Sequence, residues 1–225
     1  MIEEQTNTDK KLFKLSLYLP IFFLLTIWSV KAIEIFADTS FYRLGIFPRQ
    51  LQGILGIVFS PLIHADFKHL INNSVPFAAL SVGLFYFYRQ LAYKVFFLNW
   101  FIVGIWVWCG ARESYHIGAS GLVYGLASFL FLSGVLRRMT GLMAVSLIVI
   151  FLYGSMVWGI FPFVPDVSWE SHLSGLTSGL LLAYYFRNQE PQRKKYEWET
   201  EEMDEEEINE MLDEMNEGKN KKVVE

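Results

Sequence analysis

The chain of 225 residues is 53% hydrophobic and 19% charged, with a mean hydropathy of +0.30. This length suits one good-sized domain, and so apolar a composition, gathered into long uncharged runs, excludes an ordinary soluble protein. The formal net charge of −4 conceals basic residues beside the apolar runs and acidic residues near the C-terminus. The single cysteine, Cys109, excludes an intramolecular disulfide.

Six apolar segments are predicted to be membrane-spanning helices. Each is near the ~20 residues that cross the hydrocarbon core, although the third, fourth and sixth are short. In chain order they are Leu15–Phe36, Leu70–Tyr88, Val95–Ala111, Ser120–Leu136, Leu142–Phe161 and His172–Phe186. The sequence therefore predicts an all-α membrane protein, a bundle of six transmembrane helices formed by residues 15–187. No small-residue cleavage pattern follows the first segment, so we expect a retained signal anchor.

Basic residues cluster at alternate ends of these segments. One side carries eleven of them: Lys10, Lys11, Lys14, Arg89, Lys94, Arg137, Arg138, Arg187, Arg193, Lys194 and Lys195. The other side carries five: Lys31, Arg43, Arg49, Lys68 and Arg112. Because cytoplasmic loops are enriched in lysine and arginine, both termini are expected in the cytoplasm, with residues 1–14 as a short cytoplasmic segment.

A long connection, Ala37 to Lys68, separates the first two segments. Its stretch Leu51–Ile63 is apolar but too short to span a bilayer. We expect an interfacial or partly submerged loop, which is compatible with packing on the helix bundle. Just before it, Lys31 and Glu34 lie at a helical spacing that allows an ion pair.

Residues 188–225 are predicted to form an acidic cytoplasmic tail. Between Glu197 and Glu217 there are twelve carboxylates and no lysine or arginine, a pattern typical of a solvated, largely disordered segment. The alternative is a short amphipathic helix that docks a partner, because four apolar residues fall at helical spacing: Ile208, Met211, Leu212 and Met215.

Four polar residues from three predicted helices fall at the same outer depth. Ser120 begins the fourth segment and His172 begins the sixth. His69 and Asn73 share one face at the outer end of the second. Polar groups at membrane depth are costly and mark functional sites, so we expect these side chains to meet in one layer.

Two glycine pairs have the G-x-x-x-G spacing that lets helices approach closely: Gly121 with Gly125, and Gly175 with Gly179. The second pair lies on the face of His172. Helix packing alone accounts for the glycines. Helix packing does not account for a serine and a histidine at the same contact between two helices and at the same depth.

A serine beside a histidine can act as a nucleophile activated by a general base. The later segments contain no carboxylate, so the sequence favours a Ser120–His172 dyad without an acid. Tyr124, one turn after Ser120, is placed to pack against the imidazole. The acidic residues weighed as a third member are all predicted in loops: Asp66, Glu113, Asp166 and Glu170.

Donors for an oxyanion are also present. His69 and Asn73 offer side-chain donors, and the start of the fourth helix offers free backbone N–H groups beside Ser120. Rival chemistries lack their motifs. Leu122 breaks the G-x-S-x-G elbow of soluble hydrolases, no H-E-x-x-H occurs, and the predicted segments contain no aspartate.

Taken together, these residues resemble the rhomboid family of intramembrane serine proteases over roughly Arg43 to Phe186. The resemblance rests on three motifs: G-x-S-G as Gly118-Ala119-Ser120-Gly121, H-x4-H-x3-N as His64, His69 and Asn73, and H-x2-G-x3-G as His172, Gly175 and Gly179. Two features depart from the family pattern. The Trp-Arg pair typical of the first external loop is missing, with Arg49 as the nearest candidate, and Ser171 replaces the usual alanine before the histidine.

The resemblance implies that Ser120 is the nucleophile and His172 its general base. It also implies an oxyanion hole of His69, Asn73 and the Ser120 backbone N–H, with Tyr124 stacked near His172. The expected activity is serine endopeptidase cleavage of membrane-anchored proteins within or next to their transmembrane helix. The six-helix form is usual in bacteria, so we expect a multi-pass protein of the bacterial plasma or inner membrane, with no cofactor, metal or nucleic acid.

Two other classes of function were weighed. A rhomboid-like pseudoenzyme would bind transmembrane segments without cutting them, although inactive relatives generally lack the serine or the histidine. A small-solute transporter would need polar or broken helices in paired repeats, and the sequence shows none.

Overall fold

The structure is a computed structural model that describes residues 2–137, 140–152, 158–164 and 167–189. All of these residues belong to one unit, Met1–Gln192. The acidic tail from residue 190 onward, with its amphipathic pattern and its suggested partner, lies outside the described residues.

Six helices of 13 to 35 residues lie in the described ranges, and each overlaps one of the six predicted segments. They are α1 (Ile2–Phe36), α2 (Phe67–Phe87), α3 (Ala92–Gly110), α4 (Ser120–Leu136), α5 (Thr140–Leu152) and α6 (Trp169–Tyr185). Helix α1 begins well before Leu15, since residues 2–14 contain many good helix formers. Residues 153–157, inside the fifth predicted segment, are not described.

Three of the described helices are long and apolar enough to cross a membrane: Lys10–Phe36 within α1, then α2 and α3. Helix α4 is apolar but has only 17 residues. Large apolar side chains of α1, such as Phe22 and Tyr18, are exposed on its outer surface. Such a surface suits contact with lipid better than contact with water.

Helix α4 occupies the centre of the bundle. It packs most extensively on α6 and also contacts α2, α3 and α5. Its residues are buried on almost every side, as its continuous apolar sequence requires. Aromatic residues complete the core around it, with Phe23 of α1 stacked on Phe77 of α2 and Tyr88 edge-on to Phe129 of α4. The residue that begins α4, Ser120, is therefore carried by a helix that is packed on almost every side.

The connection between α1 and α2 folds onto the bundle through short turns, Tyr42–Leu44, Leu51–Gly53 and Ser60–Leu62, and one short helix, Gly56–Phe59. The predicted pair is confirmed, because Lys31 Nζ lies 3.1 Å from Glu34 Oε2. The same ammonium donates to the carbonyls of His64 and Ala65, at 3.1 and 2.9 Å, so it fixes the peptide that leads into α2.

Arg49 anchors the other part of this connection. Its guanidinium donates to the carbonyl of Ala111 at 2.8 Å, and its backbone N–H donates to the carbonyl of Trp108 at 2.9 Å. Its φ of 58° is in the left-handed region, which is unusual for a residue with a side chain. These contacts attach the loop to the end of α3. Arg49 was the nearest candidate in the sequence for the arginine of the missing Trp-Arg pair.

Candidate active site

Ser120 and His172 meet at the adjoining ends of α4 and α6. The Ser120 Oγ lies 2.8 Å from His172 Nε2, a normal hydrogen-bond distance. His172 is buried, whereas Ser120 is partly exposed. The pair therefore combines a sheltered base with a hydroxyl that a substrate can reach.

A main-chain carbonyl determines the tautomer of His172. Its Nδ1 lies 2.8 Å from the carbonyl oxygen of Gly159, in the segment that precedes α6. Because a carbonyl only accepts, Nδ1 carries the proton and donates it. In the neutral imidazole this leaves a lone pair on Nε2, so Ser120 donates its hydroxyl proton to His172. Gly159 thus orients the imidazole, which is the role of the acid in a three-residue arrangement.

Tyr124 lies against one face of this histidine. Its ring is stacked on the imidazole with centroids 4.3 Å apart and planes inclined by 11°. Since Tyr124 is one helical turn beyond Ser120, the helix that carries the serine also supports the histidine.

Glycines bring α4 and α6 close enough for this contact. A methyl group on Gly175 would lie 2.1 Å from the carbonyl oxygen of Gly121, and one on Gly179 would lie 2.1 Å from that of Gly125. Both would clash with backbone, so the seam requires glycine at these two positions. Gly125 differs from the expectation, because its own open side faces Asn99 of α3 rather than α6.

His69 and Asn73 of α2 converge on the turn before Ser120. Gly118 adopts φ 106°, a conformation that favours glycine. A methyl group there would lie 2.6 Å from His69 Nε2 and 3.4 Å from Asn73 Nδ2. The Asn73 amide nitrogen is buried and has no hydrogen-bond partner within the described part of the chain. The four polar residues predicted to share one layer are thus brought together.

His64 supports the same turn from beneath. Its Nε2 accepts the backbone N–H of Ala119 at 3.4 Å, and its ring is edge-on to that of His69 at 5.0 Å. Burial lowers the pKa of His64 to about 3. The neutral ring therefore acts as an acceptor that fixes the Gly118–Ala119 peptide, one residue before the nucleophile candidate.

Two of the carboxylates predicted in loops have defined contacts, and only Glu170 lies inside a helix. Glu170 lies in the first turn of α6, because this helix begins at Trp169 rather than at His172. It is buried and lies 3.6 Å from Arg112 Nε. Asp66 caps α2 by accepting the backbone N–H of His69 at 2.7 Å. Neither contact reaches an imidazole nitrogen of His172.

Sequence reasoning missed the carbonyl of Gly159 and the polar contacts of His116 with Ser168. No spacing rule connects them with the dyad, because His116 lies in the loop before α4, whereas Gly159 and Ser168 lie in the segment before α6. The one available signal was Ser168 and Ser171 at an i, i+3 spacing directly before His172.

The sequence of the chain matches a known protein family. The family model of the Rhomboid domain matches residues 51–189. The chain belongs to the rhomboid family. Members of this family are in general intramembrane serine proteases. Together with the long apolar helices, the rhomboid domain indicates a multi-pass membrane protein.

The rhomboid chain is also similar to uncharacterized mycobacterial proteins. One from Mycobacterium tuberculosis and one from Mycobacterium bovis are each 34% identical over 166 residues, covering 67% of this chain. The chain spans about 65% of the length of these two relatives. An uncharacterized protein of Mycobacterium leprae is 29% identical over 187 residues, covering 76% of this chain and 71% of its own length.

Proposed function

We propose that this rhomboid protein is a serine endopeptidase that cleaves membrane-anchored proteins within or next to their transmembrane helix. The observation that carries the proposal is the 2.8 Å contact of Ser120 Oγ with His172 Nε2, on a histidine whose Nδ1 donates to a carbonyl. This arrangement leaves Nε2 ready to accept a proton from the serine.

In the proposed reaction, Ser120 Oγ attacks the scissile carbonyl as its proton passes to His172 Nε2. The tetrahedral oxyanion is stabilised by Asn73, His69 and the backbone N–H of Ser120. The C–N bond then breaks as His172 returns the proton to the leaving amine. Water hydrolyses the acyl-enzyme by the same steps, with His172 first as base and then as acid.

The oxyanion assignment is supported by the free donor on Asn73. Its Nδ2 is buried beside Gly118 and has no partner within the described ranges. A preorganised donor that stabilises developing negative charge is typically worth about 3 kcal/mol of barrier height. Gly118 supports the same assignment, because a methyl group there would lie 2.6 Å from His69 Nε2 and 3.4 Å from Asn73 Nδ2.

We also propose a membrane topology for the protein. Helices α1 to α6 span a bacterial plasma or inner membrane, both termini are cytoplasmic, and residues 15–187 form the membrane domain. Lysine and arginine at alternate helix ends support this orientation. Reporter fusions at Arg89 and Arg112 test it: the first is expected inside the cell and the second outside.

The activity is tested with purified protein in liposomes and a tagged single-span reporter substrate. We expect cleavage by the wild type, with fragment masses that locate the cut in or beside the transmembrane helix, and no cleavage by Ser120→Ala. A pseudoenzyme is the second candidate function. It would crosslink to the reporter in wild-type and variant forms alike without producing fragments, and that result would overturn the proposal.

A further inference from the structure

His116 lies in the loop between α3 and α4, four residues before Ser120. Its backbone pairs with that of Ile46 through two hydrogen bonds of 2.8 and 3.0 Å. Its side chain is buried, with only 2% of its surface exposed. The side chain of His116 is therefore held in one position and makes its polar contacts with protein groups rather than with solvent.

The partners of the ring define its tautomer. His116 Nε2 lies 3.0 Å from the carbonyl oxygen of Arg112, and Nδ1 lies 2.6 Å from Ser168 Oγ. Because the carbonyl only accepts, Nε2 carries the proton. The neutral ring then has its lone pair on Nδ1, so the hydroxyl of Ser168 donates to His116. Burial lowers the pKa of His116 below its ordinary value, which favours this neutral form.

The direction of the next hydrogen bond follows from the first. Ser168 Oγ lies 2.7 Å from Ser171 Oγ. Because the single hydroxyl proton of Ser168 is donated to His116, Ser168 can only accept in its hydrogen bond with Ser171, and Ser171 is the donor. A directed chain thus runs from Ser171 through Ser168 to His116 and on to the Arg112 carbonyl. We call these three side chains the His116 chain.

The His116 chain joins the two segments that carry the proposed dyad. His116 belongs to the loop that delivers Ser120. Ser168 directly precedes α6, and Ser171 directly precedes His172. The ends of the two helices also touch, because a methyl group on Gly121 would lie 3.0 Å from the carbonyl oxygen of Ser171.

We propose that His116 is a positioning residue that, through Ser168 and Ser171, sets the separation of Ser120 and His172. The inference rests on the proposed function. A displacement of about 1 Å between reacting groups can cost on the order of a hundredfold in rate. Loss of the His116 chain therefore lowers the reactivity of Ser120 without removing either member of the dyad.

Two amide variants separate the contacts of His116. In His116→Asn the side-chain oxygen takes the position of Nδ1 and still accepts from Ser168. In His116→Gln the amide nitrogen takes the position of Nε2 and donates only to Arg112. The readout is the second-order rate constant for labelling of full-length protein in micelles by a fluorophosphonate, which does not depend on binding a transmembrane substrate.

We expect His116→Gln and Ser168→Ala each to slow labelling on the order of tenfold or more, and His116→Asn to restore most of the rate. The double variant His116→Gln/Ser168→Ala should label no more slowly than the slower of its two single variants, because each substitution breaks the same chain of hydrogen bonds. Ser178→Ala, which changes a buried serine of α6 outside the His116 chain, is the control and should label at the wild-type rate. Thermal midpoints verify that the compared proteins are folded.

Equal rates for His116→Gln and wild type, or equal slowing by the Gln and Asn variants, would overturn the inference. If His116→Gln does not fold, Ser168→Ala and Ser171→Ala decide by the same criterion, and wild-type rates in both would overturn it. Failure of the proposed function looks different: either the wild type itself is not labelled, or Ser120→Ala is labelled as fast as wild type.

Discussion

The rings of Tyr124 and His172 are stacked at 4.3 Å and lie within 11° of parallel. The phenol holds the imidazole in the plane that directs Nε2 to Ser120. We expect Tyr124→Phe to retain most activity, since the ring remains. Tyr124→Ala opens a cavity against the imidazole and should lower both turnover and stability, the latter by about 3 kcal/mol. Turnover of the liposome reporter and thermal midpoints measure the two effects, and equal losses in both variants would contradict the stacking role.

Gly159 lies where a side chain would strike the dyad. A methyl group there would lie 2.3 Å from Tyr124 Oη and 2.8 Å from His172 Nδ1. We expect Gly159→Ala to displace the imidazole and to lower kcat far more than it raises KM, because the geometry of the dyad is changed. Gly110→Ala is the control, since its new methyl group would meet nothing within 4 Å. Normal kcat in Gly159→Ala would contradict the described position of the carbonyl.

Asn73 is expected to act on the transition state. Asn73→Ala removes one donor and should slow cleavage on the order of a hundred- to a thousandfold, with His69 and the backbone N–H limiting the loss. Asn72→Ala is the matched control, because this neighbouring amide on α2 is exposed. The measurement is kcat/KM on the reporter. Equal rates in the two variants would remove Asn73 from the oxyanion hole.

The pH dependence of stability tests His64. Burial lowers its folded-state pKa to about 3, below the value of about 6.5 in the unfolded chain. Its contribution is therefore complete above about pH 6.5 and is lost as the pH falls, by about 2 kcal/mol at pH 5. His64→Gln keeps an acceptor for the Ala119 N–H and removes the titration. We expect its thermal midpoint to fall less between pH 7.5 and 5 than that of the wild type. Parallel pH curves would contradict a buried neutral His64.

The length of the apolar runs and the placement of charged residues supported much of the sequence-based prediction. The six described helices overlap the apolar segments, because lipid-facing and buried residues are both apolar and leave long uninterrupted runs. Alternation of helix direction predicted that Ser120, His69 and Asn73 would lie near one another, and the side chains of His69 and Asn73 do lie beside Gly118, two residues before Ser120. The predicted start of α6, His172, was three residues too late. A criterion based on hydropathy excludes a charged residue such as Glu170 from a helix, whereas in the structure Glu170 is buried in α6 and paired with Arg112.

The remaining features depend on contacts between loops. The carbonyl of Gly159 and the His116 chain join segments with no shared periodicity, so no pattern in the sequence relates them. Every residue, moreover, has a backbone carbonyl, so the residue type does not reveal which carbonyl accepts a hydrogen bond from His172. Gly125 shows the limit for motifs as well: its spacing with Gly121 suggested one partner helix, whereas its open side accommodates Asn99 of α3.

The central claim is that Ser120 is the nucleophile activated by His172. The most direct measurement is fluorophosphonate labelling of the full-length protein, followed by mass spectrometry of the peptide that carries the adduct. The account predicts a single adduct on Ser120, lost in Ser120→Ala and strongly slowed in His172→Ala. An adduct on another residue, or labelling that persists unchanged in Ser120→Ala, would contradict it.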